Sequence, residues 1–281
     1  MRKDTKLIQT IVFTLLLLAT LVVLLPVIWV IALILIKGLP AMRLGFIFGM
    51  PLDGMRAGGI FPALVGTIYL VLATAVFAIP LGVLCAVYLN EYAPHNWLTR
   101  TIEIAIINLA GVPSIVYGLF GLGLFVSIFG VSILAGALTL AIMTLPTMIT
   151  ATREALNAVP QAYREASFSL GASRWQTVRH IVLPNAVPGI LTGVILSLSR
   201  AAGETAPILF TVAAFYLPHL PRSIYDQAMA LPYHIYILST QVPNVSSNIQ
   251  YGTILVLVGL VFLMNLSSSY MRTRFRKKKT W

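Results

Sequence analysis

The chain is poor in charged residues and in cysteine, and it lacks the usual catalytic constellations. Asp, Glu, Lys and Arg make up 10% of its 281 residues, whereas an average soluble domain has about 25%. Cys85 is the single cysteine, so no intrachain disulfide can form. The four histidines show no metal-ligand spacing, and no nucleophile lies in a pattern with a base. The sequence therefore predicts no catalytic residue and no metal site.

A nucleotide-binding loop is also missing. No G-x4-G-K-[ST] occurs in the sequence, and that loop is what cradles the phosphates of ATP in many ATPases. If ATP drives this protein, the ATP and its Mg²⁺ must bind to another subunit. We therefore expect no cofactor in this chain.

Long apolar stretches take the place of the missing charge. Hydrophobic residues make up 58% of the chain, and a membrane helix needs about 20 apolar residues. The charge-free stretch 104–152 has room for two crossings, with a turn at 129–132. The first stretch exceeds the apolar core of a cleaved signal peptide, so it should remain as a helix. The sequence predicts an all-α integral membrane protein with six transmembrane helices, in 7–36, 57–90, 104–152 (two), near 187–210 and about 250–271.

The basic residues are concentrated on one side of the predicted membrane protein. The formal net charge is +11, and an even number of spans puts both termini on one side, with most of the 19 Lys and Arg residues. This bias places both termini and the loop 153–186 in the cytoplasm. The orientation in the membrane thus explains the positive net charge, and we expect no nucleic acid partner. The basic tail 272–281 is expected to bind anionic lipid at the membrane surface.

Three regions follow from this organisation. Residues 1–56 form a cytoplasmic tail, the first helix and an outer loop; residues 57–271 form the membrane core; residues 272–281 form the basic tail. The stretch 213–249 mixes aromatic residues with histidines and prolines. A seventh crossing there would put the basic tail outside, so we expect an amphipathic segment near the outer membrane surface.

The loop 153–186 carries a spaced motif, EA[AS]-x3-G-x9-I-x-LP. It resembles the EAA loop through which bacterial ABC importer permeases bind their ATPases, with Ser167 in place of the usual second alanine. The resemblance implies that Glu165, Ala166 and Gly171 take part in coupling to an ATPase. The residues that fall on the pattern are Glu165, Ala166, Gly171, Ile181, Leu183 and Pro184.

Local residues in this loop predict two short helices joined by a tight turn. Pro160 favours the start of a helix that runs from Gln161 to about Leu170. Gly171 is suited to end that helix in the left-handed conformation. Ser173 followed by Gln176 forms a capping-box pattern for a second helix. An ordinary basic loop is the alternative, but it would not need these residues.

The predicted fifth span contains two charged residues, Arg200 and Glu204. An arginine at the centre of a span costs about 2.5–3.5 kcal/mol on insertion scales and usually faces an interior or a water-filled cavity. Glu204 lies four residues on, about one helical turn away. A self-neutralising structural pair is the alternative. Gly203 and Pro207 favour a locally loosened helix that lines a path, because both weaken helical structure.

A second set of strings narrows the family. R-x2-GETAP at 200–207, GGIFPALVGT at 58–67 and YLNEYA at 88–93 are similar to the PstA-type permease of the phosphate importer. The resemblance covers roughly residues 57–271. It implies a type I ABC importer (MetI-like) permease fold in a bacterial inner (plasma) membrane, and phosphate as substrate, moved with the help of Arg200. It also implies a PstC-type permease partner, a PstB-type ATPase dimer and an external PstS-type phosphate-binding protein.

Two other functions stay open from the residues alone. The first is a permease of an ABC importer for sulfate, molybdate or an amino acid, from which the GETAP segment distinguishes the phosphate family. The second is a stand-alone secondary transporter or channel. That class needs its own coupling-ion residues, and Glu204 is the only carboxylate predicted within a span.

Overall fold

The computed structural model describes the backbone of residues 2–277, so residues 278–281 of the predicted basic tail lie outside the described part. The described part is mainly helical, with one short antiparallel hairpin, β1 (Pro51–Leu52) with β2 (Ala57–Gly58), and one isolated bridge between Ala213 and Ala228. The helices are α1 (Arg2–Gly38), α2 (Leu44–Phe48), α3 (Phe61–Val87), α4 (Trp97–Ala110), α5 (Ser114–Gly121), α6 (Ser127–Phe129), α7 (Ile133–Asn157), α8 (Gln161–Ser169), α9 (Arg174–Thr177), α10 (Leu183–Gly203), α11 (Ala206–Thr211), α12 (Leu231–Thr240) and α13 (Ser247–Lys277).

Five helices in the described part are long and apolar enough to cross a membrane, and a bent pair supplies a sixth crossing if it is counted as one span. The bent pair is Trp97–Ala110 with Ser114–Phe129, and its two halves meet at 101°. The predicted six crossings are reached when this pair counts as one span, and the third crossing is then a broken helix rather than a continuous one. Pro113 causes the break, because the residue before a proline is pushed out of the helical region.

The predicted turn between the third and fourth crossings is confirmed. Gly130 has a positive φ of 70°, which glycine tolerates because it has no Cβ. Ser132 then caps α7 by accepting a hydrogen bond from the Ala135 N–H at 3.2 Å. Both features depend on residues within a few positions of the turn, so the sequence was sufficient to predict its place.

Helices α3, α7 and α10 form the centre of the molecule. Ala78 of α3, Met148 of α7 and Ala186 of α10 belong to one buried cluster. At Gly189 and Gly193 of α10, an added Cβ would come within 2.6 Å of an alanine Cβ on α7. Small residues of this kind let membrane helices approach closely, which matters because apolar burial gives little drive for association within lipid.

The hydrogen bonds identify one end of the bundle. Ile133 N–H donates to the Asp226 carbonyl at 2.9 Å, and Leu134 N–H donates to the Ile224 carbonyl at 2.9 Å. The carboxylate of Asp226 accepts from the backbone N–H groups of Arg222 and Ser223, and these bonds lower the pKa of Asp226. The start of α7 and the segment after α11 therefore share one end, and the loop 158–182 lies at the other.

The prediction that 213–249 lies on the membrane surface is wrong for α12, whereas the stretch 215–225 is mostly exposed. Helix α12 packs into the interior, where Leu231 and Leu238 are both 0% exposed. Its first N–H group, that of Leu231, donates to Thr67 Oγ1 at 2.8 Å. Just before it, the Met229 carbonyl occupies the space that a Cβ on Gly66 of α3 would fill. Gly66 and Thr67 of α3 thus fix the start of α12 in the interior, although the composition of 213–249 resembles that of a surface loop.

The last helix is longer than predicted. Helix α13 continues past residue 271 to Lys277, so the predicted basic tail begins as helix. At the other terminus, α1 confirms the first predicted span. The apolar membrane stretch of α1 is 0% buried within the chain, so its surface is available to lipid or to another subunit.

Candidate substrate path and coupling elbow

The fifth crossing is interrupted next to its two charged residues. Helix α10 ends at Gly203, and Glu204 is extended, with φ −72° and ψ 132°. The short helix α11 begins at Ala206. The predicted continuous span near 187–210 is therefore corrected to two helices with a break at 204–205. The predicted loosening is confirmed, because Pro207 occupies the first turn of the new helix rather than the middle of an old one.

Arg200 and Glu204 meet at this break, but only loosely. The Arg200 Nε lies 3.5 Å from Glu204 Oε1, and the two side chains are 60% and 16% exposed. No other hydrogen-bond partner of the Arg200 side chain occurs among the described residues. The guanidinium therefore keeps most of its five N–H donors available for an anion. A structural pair would bury the arginine, whereas here the arginine is the more exposed partner.

Arg200 belongs to an uncovered strip of α10. Leu196 is 60% exposed, and Arg200 and Gly203 follow it at helical spacing on the same exposed face. An added Cβ on Gly203 would have no atom within 4 Å. The opposite side of α10 packs on α7, so this strip is the face that α10 presents outside the chain.

The predicted elbow is confirmed in its local details. Helix α8 starts at Gln161 with Pro160 at the N-cap, and Gly171 has a φ of 82°. Ser173 and Gln176 form both hydrogen bonds of the capping box at the start of α9. Glu165, Ala166 and Gly171 are all exposed at the end of the molecule opposite Asp226.

A test of the elbow follows from the open space around Gly171. An added Cβ at Gly171 would have no atom within 4 Å, so Gly171→Val strains the backbone without any clash. A left-handed conformation costs an L-residue about 1–2 kcal/mol, and a β-branched residue resists it most. We expect ATPase stimulation and transport to fall while membrane insertion is retained.

Gly171→Asn is the matched control, because asparagine tolerates positive φ. Both variants should be assayed for uptake at equal membrane abundance. Equal and normal uptake in the two variants would contradict a role for this turn.

Sequence reasoning missed the residue pair that holds the elbow to the membrane helices. Arg164 of α8 is buried, and its Nη2 lies 2.9 Å from Oε1 of Glu91, just after α3. Its Nη1 and Nη2 also donate to the carbonyls of Val159 and Leu156, at 2.7 and 3.0 Å. Leu156 lies in the last turn of α7 and Val159 comes just after it. One guanidinium therefore connects α8 with the ends of α3 and α7. The only sequence indication was a carboxylate directly after an apolar span.

A second contact explains the serine that departs from the motif. Ser167 Oγ lies 2.8 Å from Thr177 Oγ1, and both side chains are buried. The usual alanine could not make this hydrogen bond. In this chain the contact ties α8 to α9 and fixes the angle of the elbow.

The elbow also exposes large apolar side chains. Leu170 is 89% exposed, Trp175 is 56% exposed and Phe168 is 45% exposed. They lie within four residues of Gly171 along the chain, next to the exposed polar residues Glu165, Ser169 and Arg174. An apolar patch rimmed by polar residues is typical of a protein interface.

Comparison with known proteins identifies relatives of this chain among transport permeases. Residues 78–280 match the family described as binding-protein-dependent transport system inner membrane component. A probable ABC transporter permease, YqgI of Bacillus subtilis, is 37% identical over 88% of this chain and 89% of its own length. The phosphate transport system permease PstA 1 of Mycobacterium tuberculosis H37Rv is 36% identical over 89% of this chain and 83% of its own.

Solved structures of ABC importers share the fold. A chain of the MetNI methionine transporter, inward facing, has a TM-score of 0.62 and 19% identity, covering 76% of this chain and 96% of that one. A chain of a bacterial alginate transporter has a TM-score of 0.62 and 16% identity, covering 92% and 94%. These likenesses confirm the type I importer permease fold. The chain is a multi-pass inner-membrane permease and belongs to the family of binding-protein-dependent transport system inner membrane components.

Proposed function

We propose that this chain forms half of the translocation path of an ATP-driven importer of inorganic phosphate. The observation that carries the proposal is the exposed guanidinium of Arg200 at a helix break, in a chain with PstA relatives that are 36% identical to it. Arginine is permanently charged and offers a planar fork that suits the oxygens of phosphate. One loosely held arginine binds weakly enough to release its anion, so affinity and selectivity reside mainly in an external binding protein.

The partners follow from the same proposal. A PstC-type permease covers the exposed strip of α10, a PstB-type ATPase dimer binds ATP and Mg²⁺, and a PstS-type protein delivers phosphate. Glu165, Ala166 and the turn at Gly171 contact the ATPase, which hydrolyses ATP as a separate subunit. In this arrangement residues 57–271 form the permease core, the loop 153–186 is the coupling loop, and both termini are cytoplasmic. The described basic residues of α13, Arg272 and Arg274, then face the same membrane surface.

The test is reconstitution of the chain with those partners. We expect co-purification with the ATPase and phosphate-stimulated ATP hydrolysis in liposomes. Stimulation by sulfate, molybdate or an amino acid instead would favour another ABC importer. Uptake by the chain alone, without ATP, would favour a secondary transporter.

Glu204 offers a separate test of anion choice. Phosphate at neutral pH carries at least one O–H group and sulfate carries none, while an ionised carboxylate can only accept hydrogen bonds. Glu204 beside Arg200 would therefore accept a bond from phosphate and repel sulfate. We expect Glu204→Gln to narrow the ratio of phosphate to sulfate flux.

The flux ratio has to be measured without selection by the binding protein. Counterflow of the two anions in liposomes that contain the permease pair meets that requirement. If both fluxes change by the same factor, Glu204 is only the counter-ion of Arg200.

A further inference from the structure

A polar cavity opens at the inner end of the molecule, away from Arg200. Its volume is about 780 Å³, and it lies between the segment after α3, the start of α4 and the end of α7. Arg100 and Arg153 line it together with Glu103 and Asn157. The proposed substrate path lies at the opposite end of α10, so the cavity needs an explanation of its own.

Several donors of the two arginines in this cavity have no acceptor among the described residues. Arg100 is exposed and makes no ion pair within the described part of the chain. Arg153 donates from Nη2 to Glu103 at 2.6 Å, but its Nε is buried and finds no hydrogen-bond partner among the described residues. Buried polar groups are almost always hydrogen-bonded, so an unpaired donor indicates a missing acceptor. Phosphate oxygens are strong acceptors for guanidinium groups.

An apolar groove continues from the cavity. Its volume is about 180 Å³; Glu103, Arg153 and Asn157 line both spaces, and Ile106, Ile107 and Ile149 line only the groove. The groove runs between α4 and α7. A polar cavity joined to an apolar groove matches a molecule with a phosphate at one end and a hydrocarbon chain at the other.

Helix α4 is uncovered along its length. None of its residues is buried, and Trp97 at its first position is 78% exposed. Tryptophan is enriched at the membrane–water interface, which sets the cavity at headgroup depth. Basic pockets between membrane helices on the cytoplasmic side commonly bind lipid headgroups.

The charges favour a zwitterionic headgroup. Arg100 and Arg153 are balanced by Glu103 and by Glu154, which lines the groove. A phosphodiester binds the arginines, and a headgroup amine lies near the carboxylates. An anionic headgroup without an amine would leave those carboxylates facing like charge.

We propose that this site binds one amine-bearing zwitterionic phospholipid, with its phosphodiester at Arg100 and Arg153 and an acyl chain between α4 and α7. The lipid fills the gap between the two helices and holds α4 against α7 below the bend at Pro113. The inference rests on the membrane location of the chain and not on phosphate as the transported substrate.

The test is lipid retention, measured by native mass spectrometry on the chain purified with its partner subunits. In bilayers of phosphatidylethanolamine and phosphatidylglycerol, we expect phosphatidylethanolamine to be retained in preference. Arg100→Gln removes a charge-assisted bond and should lower retention about tenfold. Arg222→Gln alters an exposed arginine that lies outside both the cavity and the basic tail, and it should leave retention unchanged.

A second variant separates a lipid from a free anion. Ile107→Ser places a hydroxyl in the groove and should also lower retention, whereas Ile104→Ser alters an exposed residue of the same helix that does not line the groove. Equal retention in Arg100→Gln and Arg222→Gln would overturn the site. Preference for phosphatidylglycerol, or displacement of the lipid by millimolar inorganic phosphate, would overturn the proposed ligand. Retention needs no transport, so failure of the proposed transport function leaves this test intact.

Discussion

Replacing Arg200 with Gln is expected to lower phosphate uptake by at least about tenfold, since hydrogen bonds to a charged group are worth about 1.5–3 kcal/mol. Gln retains some hydrogen bonding but loses the charge that attracts the anion. Because the Arg200 side chain is 60% exposed and only loosely paired, the fold does not depend on it. Assembly and basal ATP hydrolysis should therefore be retained, and uptake of labelled phosphate in proteoliposomes measures the loss.

Two further variants test whether the loss of uptake depends on the guanidinium group and on its position at residue 200. Arg200→Lys should restore uptake only in part, because lysine keeps the charge but lacks the planar fork. Arg272→Gln removes an exposed arginine at the opposite end of the bundle and should transport normally. If Arg200→Gln instead prevents assembly of the complex, Arg200 is a structural residue and the proposed path is wrong.

Replacing Glu91 with Gln is expected to uncouple the elbow from α3. Glu91 and Arg164 are 9% and 11% exposed at their side chains, and breaking a buried ion pair by removing one partner costs about 3–5 kcal/mol. The guanidinium would keep its bonds to the Val159 and Leu156 carbonyls, so α8 stays joined to α7. The substitution therefore weakens only the contact between α8 and the end of α3.

The measurement compares substrate-stimulated with basal ATP hydrolysis in the assembled complex. We expect the stimulated rate to fall much more than the basal rate, because docking survives while movement of α3 with the elbow is lost. The paired exchange Glu91→Arg with Arg164→Glu should restore part of the stimulation.

Glu103→Gln is the matched control. Glu103 also forms an ion pair with an arginine of another helix, but the two side chains are 28% and 32% exposed. Ion pairs that solvent reaches in this way contribute less than buried pairs, about 0–1 kcal/mol for those at a surface. Equal loss of stimulation in Glu91→Gln and Glu103→Gln would show that the buried pair has no special part in coupling.

The elbow was predictable because each of its determinants acts within a few residues. Pro160 starts α8, Gly171 allows the positive φ, and Ser173 bonds to a residue three positions on. The break after Gly203 was indicated in the same way, by a glycine and a proline near one another. The spacing of Arg200 and Glu204 predicted that they would meet.

The sequence by itself thus determined the membrane class, the long apolar segments, the local turns of the elbow and the proximity of Arg200 to Glu204, because apolar length and local backbone preference decide them. Only the tertiary structure decided that Arg164 pairs with Glu91, which is 73 residues away. Tertiary structure also decided that α12 is buried. The Met229 carbonyl just before it lies against Gly66 of α3, and the Leu231 N–H donates to Thr67 Oγ1. A pattern of residue types carries no information on which remote segment fills a gap or accepts a hydrogen bond, and that is settled by packing alone.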